Sequence, residues 1–174
     1  MGESGCGKTT LLKILMGVEK PDFGVLEREK NLRISAVFQQ PRLCPWLTAL
    51  QNVLLIKEKS PLHPQQAKDL LIGLGFTPQD CHQKIDCLSG GQQRRIAIAR
   101  ALFAHFDILL LDEPFQGLDW KNLQIAVQLV SEYTQNKMLI MVTHHQQEAE
   151  LLQAKIYTLK KGTLTEPSAL QPDW

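Results

Sequence analysis

The chain has 174 residues, 44% hydrophobic and 21% charged, the balance of a globular protein with core enough for one domain. Its 19 Lys and Arg against 18 Asp and Glu leave a net charge of +1, so no basic excess points to nucleic acid and no polybasic run to a lipid surface. The most apolar stretches, Ile108–Leu111 and Met138–Val142, are far below a membrane span and suit buried strands.

Residues Gly2-Glu3-Ser4-Gly5-Cys6-Gly7-Lys8-Thr9 read G-x-x-x-x-G-K-[ST], with only Met1 before them. Such a loop normally follows a buried strand and opens a helix. Here that strand is expected to be absent, and the glycine-rich polar start does not read as a signal peptide. Thr9–Gly17 carries Leu11, Leu12, Leu15 and Met16 at helical spacing and ends on glycine, which predicts the helix that the loop opens. Gly24–Glu29 and Arg33–Phe38 predict two short strands. Pro41–Leu50 reads as a proline-punctuated loop carrying Trp46.

Ala49–Lys59 and Pro64–Leu74 predict helices, the second with Ala67, Leu70, Leu71 and Leu74 on one face. Ser89–His105 predicts a third, polar at its start and apolar from Ile96. Then come a strand at Ile108–Leu111, a loop through Asp119, a helix at Leu123–Thr134, a strand at Met138–Thr143 and a helix at Gln146–Leu152. Lys155–Thr165 predicts a hairpin around Gly162, and Glu166–Trp174 a loose tail. Strands alternating with helices argue for an α/β fold with a mostly parallel sheet. The helical stretch at about 49–105 reads as a subdomain of a single domain spanning 1–174, with the hairpin and tail at about 155–174.

Four cysteines, Cys6, Cys44, Cys81 and Cys87, show no C-x-x-C spacing, so zinc binding is not expected and reduced thiols are the default. Cys6 lies inside the glycine-rich loop, either as an accessible thiol or as a small side chain that fits.

Three motifs carry chemistry. In the first, Gly2, Gly5 and Gly7 permit backbone angles that let successive N–H groups converge on phosphate oxygens. The helix beginning near Lys8 adds the positive end of its dipole. Lys8 can reach the terminal phosphates, and the Thr9 hydroxyl, with Thr10 beside it, can ligate Mg²⁺. In the second, Ile108–Leu111 runs into Asp112 and Glu113, a buried strand delivering carboxylates to the edge where α/β sheets bind ligands. Asp112 can hold Mg²⁺ and Glu113 can orient or deprotonate an attacking water. The third is Leu88-Ser89-Gly90-Gly91-Gln92, where Ser89 caps a helix whose first amides two glycines leave bare. One nucleotide hardly needs two such helix starts, which suggests that the second serves a partner's nucleotide. The alternative is an ordinary Ser-capped helix with Arg94, Arg95 and Arg100 as surface charge.

LSGGQ upstream of LLLDEP and downstream of GESGCGKTT resembles the ATP-binding-cassette (ABC) ATPase family. The remaining signatures fit in order. Gln39 matches the glutamine linking the Mg²⁺ site to the helical lobe, and Gly117-Leu118-Asp119 the loop that communicates across the dimer. His144 matches the switch histidine at the γ-phosphate. His145 stands where an aspartate is usual, removing an acid that would orient the switch region. His63, His82 and His105 read as surface or helix-end residues, and Lys57-Glu58-Lys59 as a solvated helix end.

The resemblance implies a P-loop NTPase (RecA-like) fold, without the N-terminal antiparallel strands and the strand before the loop, and with an abbreviated hairpin around Gly24–Arg33. It also implies ATP and Mg²⁺, the latter held by Thr9, Gln39 and Asp112, with Glu113, His144 and Gln39 in catalysis. ATP-dependent homodimers are implied, in which each nucleotide meets Ser89, Gly90, Gly91, Gln92 and Asp119 of the other copy. Pro41–Val53 resembles importer ATPases for nitrate, sulfonate, taurine or thiamine precursors. Partners would be ABC transmembrane permease subunits and a solute-binding protein, and the location the cytoplasmic face of the plasma (inner) membrane. Trp46 and Leu47 would lie near the permease, with helical-lobe core as the alternative for Trp46. A non-transport ABC protein of translation or DNA repair, or an inactive truncated remnant, are the competing functions.

Overall fold

The computed structural model describes residues 1–3, 5–56, 64–160 and 162–166. In chain order the elements are α1 (Lys8–Met16), β1 (Ile34–Val37), α2 (Ala49–Leu54), α3 (Pro64–Gly73), α4 (Gly90–Phe103), β2 (Ile108–Asp112), α5 (Trp120–Tyr133), β3 (Met138–Val142), α6 (Gln146–Leu151), β4 (Thr158–Lys160) and β5 (Thr163–Thr165). Two compact units form, Met1–Arg28 with Val142–Trp174, and Glu29–Met141. The expectations for Ser4, for Lys57-Glu58-Lys59, for His63 and for the tail beyond Glu166 lie outside the described residues.

In the larger unit the sheet order is β1-β2-β3, and β1 and β2 run parallel with Ile34 opposite Ile108 and Val37 opposite Leu111. A charged fork fixes that register at its entrance. Arg33 Nη2 and Nε donate to Asp107 Oδ1 and Oδ2 at 2.6 and 3.0 Å, while the Asp107 and Ile108 amides donate to Arg33 O at 2.9 and 3.1 Å. Hydrogen bonds from Arg33 hold the Asp107 carboxyl far below the usual carboxylate range. Leu109, Leu110 and Leu111 of β2 are each at most 1% exposed, because β2 lies between two strands and reads as a continuous apolar run. Leu110→Ala is therefore expected to cost about 2–5 kcal/mol, measured by denaturant unfolding; a loss under about 1 kcal/mol would show that β2 is not core.

The helix α4 is buried almost all round, with Ile96, Ile98, Ala99, Leu102 and Phe103 at 2% exposure or less, and packs on α2, α3, α5 and β1. Its start is a capping box: Ser89 Oγ accepts from the Gln92 amide at 3.3 Å and Gln92 Oε1 from the Ser89 amide at 2.9 Å. The same device starts α2, with Thr48 and Gln51. Asn52 on α2 is fully buried and closes the proline loop, accepting from the Cys44 amide at 2.8 Å and donating to Cys44 O and Thr48 O at 3.1 and 3.0 Å.

The smaller unit contains α1, α6 and the antiparallel β4–β5 hairpin, which pairs Leu159 with Leu164. The Leu159 amide also donates to Met1 O at 2.8 Å. Gly2 is required here: a Cβ would stand 2.5 Å from Leu159 O and 2.8 Å from Cys6 Sγ.

The structure corrects several expectations. Gly24–Glu29 forms no strand and no hairpin follows it; the segment is exposed, with Val25 87% accessible. A strand exists only when a neighbour takes its N–H and C=O groups, and among the described residues none pairs with this one. Trp46 is 71% exposed, which removes the core alternative for it. The fifth helix begins at Trp120 rather than Leu123, because Asp119 Oδ1 accepts from the Asn122 amide at 2.9 Å and caps it. Arg94 and Arg95 are not surface charge, being 9% and 7% exposed.

Candidate functional site

The glycine-rich loop is a helix start left open for an anion. Gly7, the residue before α1, has φ +98, and no side chain caps the helix, whose first turn carries no acid. The α1 amides near Lys8 and Thr9 form the positive end of the helix dipole, with no acid in the first turn of the helix. Lys8 Nζ folds over the loop, donating to Gly2 O at 2.6 Å and Glu3 O at 2.7 Å. Thr9 and Thr10 are exposed, and Cys6 is half-buried with Sγ 3.9 Å from Lys8 Nζ. A lysine beside a glycine-rich helix start is the chemistry that suits a phosphate group.

The same unit carries the histidine turn. Val142 and Thr143 are buried, while His144 and His145 are exposed with ring centroids 3.9 Å apart. Thr143 Oγ1 donates to Glu148 Oε2 at 2.6 Å and accepts from the His145 amide at 3.0 Å. With Thr143 at 1% and Glu148 at 5% exposure, this pair fixes the turn leading into α6. The acid that braces this turn is Glu148, which reaches it through Thr143 rather than through position 145. The apolar–Thr–x–x–x–x–Glu spacing was the signal available for it in the sequence.

In the larger unit, β2 ends on Asp112 and is followed by Glu113, 4% and 9% exposed. Glu113 has φ +48, a left-handed conformation that a non-glycine residue adopts only when its surroundings enforce it. The following Pro114 disfavours the right-handed helical region for Glu113, and that is the trace of this turn in the sequence. Buried acids need compensating charge, and the Arg94 guanidinium supplies part of it. Burial pushes the Arg94 pKa down, while Glu113 and Asp112 push it back up.

Gln39 follows β1 and is exposed. Its carbonyl, with that of Phe38 at 3.4 Å, accepts from Arg94 Nη1. Arg100 continues the clasp, donating to Pro41 O and Arg42 O at 2.9 and 3.0 Å. Arg95 instead turns to the helical lobe, donating to Leu74 O at 2.6 Å and lying 5.0 Å over the Phe76 ring. Its Nε is buried without a hydrogen-bond partner.

The signature helix start meets the loop before α5. A Cβ on Gly91 would stand 3.4 Å from Gly117 O and 3.5 Å from Leu118 Cδ2, in ordinary van der Waals contact with that loop. Gly90 is exposed, with open space where its Cβ would be. The larger unit thus brings together Gln39, Arg94, Asp112 and Glu113 around one end of β2, and Gly91 against Gly117 and Leu118. The smaller unit brings together Gly2, Cys6 and Lys8, and separately Thr143, His145 and Glu148.

Among the described residues no group of three or more His, Cys, Asp or Glu side chains is arranged to hold a metal. A site with one carboxylate and hydroxyl or amide oxygens suits Mg²⁺, which keeps waters and takes phosphate oxygens as its other ligands. Gln39 and Asp112 in the larger unit, and Thr9 in the smaller, each carry an oxygen of the kind that ion takes.

These features define an ATP-binding-cassette fold, and the comparisons agree. The ABC transporter family model matches residues 1–116, and the chain belongs to that family. It is 40% identical to a spermidine/putrescine import ATP-binding protein of Protochlamydia amoebophila, over 95% of this chain and 48% of that protein. It is 38% identical to aliphatic sulfonates import ATP-binding proteins of Agrobacterium fabrum and Paraburkholderia xenovorans, covering 94% and 99% of this chain and 61% and 68% of theirs. The chain thus spans about half to two thirds of the length of these relatives. Among solved structures it is similar to the dimeric post-hydrolysis state of the ATP-binding cassette MJ0796 bound to ADP and Pi. That match has 31% identity and a TM-score of 0.82, covering 95% of this chain and 83% of that one. No helix among the described residues is long and apolar enough to cross a membrane.

Proposed function

We propose that this chain is the ATP-hydrolysing subunit of an ABC importer, acting as an ATP-dependent homodimer. The observation that carries the reading is Glu113, a carboxylate only 9% exposed and held at φ +48 directly after an apolar strand. In this reading Lys8 and the amides of Gly5, Gly7 and Lys8 hold the β- and γ-phosphates. Thr9, Gln39 and Asp112 hold Mg²⁺, which supplies charge neutralisation on the phosphate oxygens when bound. Glu113 accepts a proton from the attacking water, and His144 donates to the γ-phosphate. Ser89, Gly90, Gly91 and Gln92 contact the nucleotide of the other copy, and Asp119 lies at the contact between copies.

The import role follows the relatives, named for uptake of polyamines or sulfonates. Permease subunits and a solute-binding protein are the partners of this reading, at the cytoplasmic face of the membrane. Exposed Trp46 and half-buried Leu47, on the loop after Gln39, supply an apolar patch for the permease. In the proposed single cassette domain, 49–105 is the helical subdomain and 155–174 the hairpin with its tail.

The test is direct. Mg·ATP at millimolar concentration is expected to raise the melting temperature of the purified chain, with phosphate released at a steady rate. No thermal shift together with no phosphate release would overturn the reading.

A further inference from the structure

The loop after β1 is clasped to α4 by its backbone, not by its side chains. Carbonyls of Phe38 and Gln39 accept from Arg94, and those of Pro41 and Arg42 from Arg100. Arg42 has φ +47, and its own guanidinium lies 4.4 Å over the Phe38 ring, so the loop folds back on itself between the two arginines. Arg94 differs from Arg100 in what else it faces. Its guanidinium is on the side of Asp112 and Glu113, whose charges act on it, and it is 9% exposed.

β1 and β2 run parallel with Val37 opposite Leu111, so the Phe38 and Gln39 carbonyls and the Asp112 and Glu113 carboxylates leave the sheet at the same edge, and Arg94 brings a cation to it. All four are electron-rich, so without that cation they repel one another at the low effective dielectric of a buried site. The loop, being the softer element, would withdraw from the end of β2. The planar fork of an arginine can serve carbonyls and carboxylates at once, which a lysine cannot do equally well.

We propose that Arg94 is a positioning residue: from the signature helix it pins the Gln39 backbone and sets it against Asp112 and Glu113 in the arrangement that hydrolysis needs. The proposal rests on the ATPase reading above. It gives the signature helix a direct grip on the Gln39 loop within one chain, so a displacement of α4 carries Gln39 with it.

The experiment compares wild type, Arg94→Gln and Arg94→Lys in three readouts: steady-state kcat and KM for ATP, amide hydrogen exchange of residues 39–42, and melting temperature. In Arg94→Gln, kcat is expected to fall about tenfold to a hundredfold, the range for a displaced catalytic group, with KM for ATP within about twofold. Exchange at 39–42 is expected to quicken at least threefold or so as the loop loosens. Arg94→Lys, keeping the charge without the fork, is expected to fall between the two in kcat and in exchange. A kcat for Arg94→Gln within twofold of an active wild type would overturn this proposal alone. So would a loss of kcat that follows a lowered melting temperature, with exchange at 39–42 unchanged and no recovery in Arg94→Lys. Absence of turnover in the wild type would sink the ATPase reading and the proposal with it.

Discussion

Glu113→Gln is expected to remove ATP turnover while leaving ATP binding intact. The substitution keeps the shape and both polar atoms of the side chain and removes only its capacity to accept a proton from water. General-base catalysis contributes about 10²–10⁴ in rate, so phosphate release should fall at least a hundredfold. The thermal shift produced by ATP should persist, because in the proposed reading the phosphate contacts are made by the glycine-rich loop. Phosphate release and thermal melts on the same preparation check both halves. Turnover within threefold of wild type would remove Glu113 from the base role and direct attention to Asp112.

Lys8→Ala is expected to act on the opposite half of the reaction, abolishing binding. Charged hydrogen bonds of the kind Lys8 would make to phosphates are worth about 1.5–3 kcal/mol each, and each 1.4 kcal/mol is a factor of ten in affinity. Two such bonds lost correspond to roughly a hundredfold or more in Kd. With ATP at a hundred times the wild-type Kd, ligand stabilisation is about 2.7 kcal/mol, and a hundredfold loss leaves about 0.4. The thermal shift should therefore nearly vanish. Lys8 Nζ already donates to Gly2 O and Glu3 O, so the ligand-free variant should also melt slightly lower. A thermal shift equal to that of wild type would show that the loop does not hold the nucleotide through Lys8.

The contrast between these variants follows from how the sequence encodes the two half-sites. The glycine-rich loop and α1 were legible because their determinants are local: glycines at positions that take positive φ, then an apolar helical period ending on Gly17. The strands β1, β2 and β3, the helices α3 and α4 and the hairpin were legible for the same reason, since burial imposes a period on each. What escaped was non-local. Gly24–Glu29 has strand composition but no partner among the described residues, and composition cannot report a missing neighbour. Arg94 and Arg95 sit on what looks like the polar start of a helix, yet packing by α3 and the Gln39 loop buries them. The start of α5 moved three residues because the Asp119 cap outweighs the apolar period beginning at Leu123. Glu113 was found as a carboxylate but not as a strained one; its left-handed backbone is set by tertiary context around Pro114. The Thr143–Glu148 bond left its spacing in the sequence, but the burial that lets it hold the turn comes from packing.

The arrangement of α4 bears on how such a chain can drift. Ala97, Ala99 and Ala101 are each at most 3% exposed, so larger side chains there would overpack the core. Arg94, Arg95 and Arg100 are each committed to backbone carbonyls elsewhere. Gly91 and Ser89 serve the helix start. Few neutral steps remain across this helix, whereas the exposed stretch from Val18 to Val25 can change composition almost freely. Divergence among such chains should therefore accumulate in blocks rather than with the three-to-four-residue rhythm of an ordinary surface helix, and α4 should be the slowest block to change.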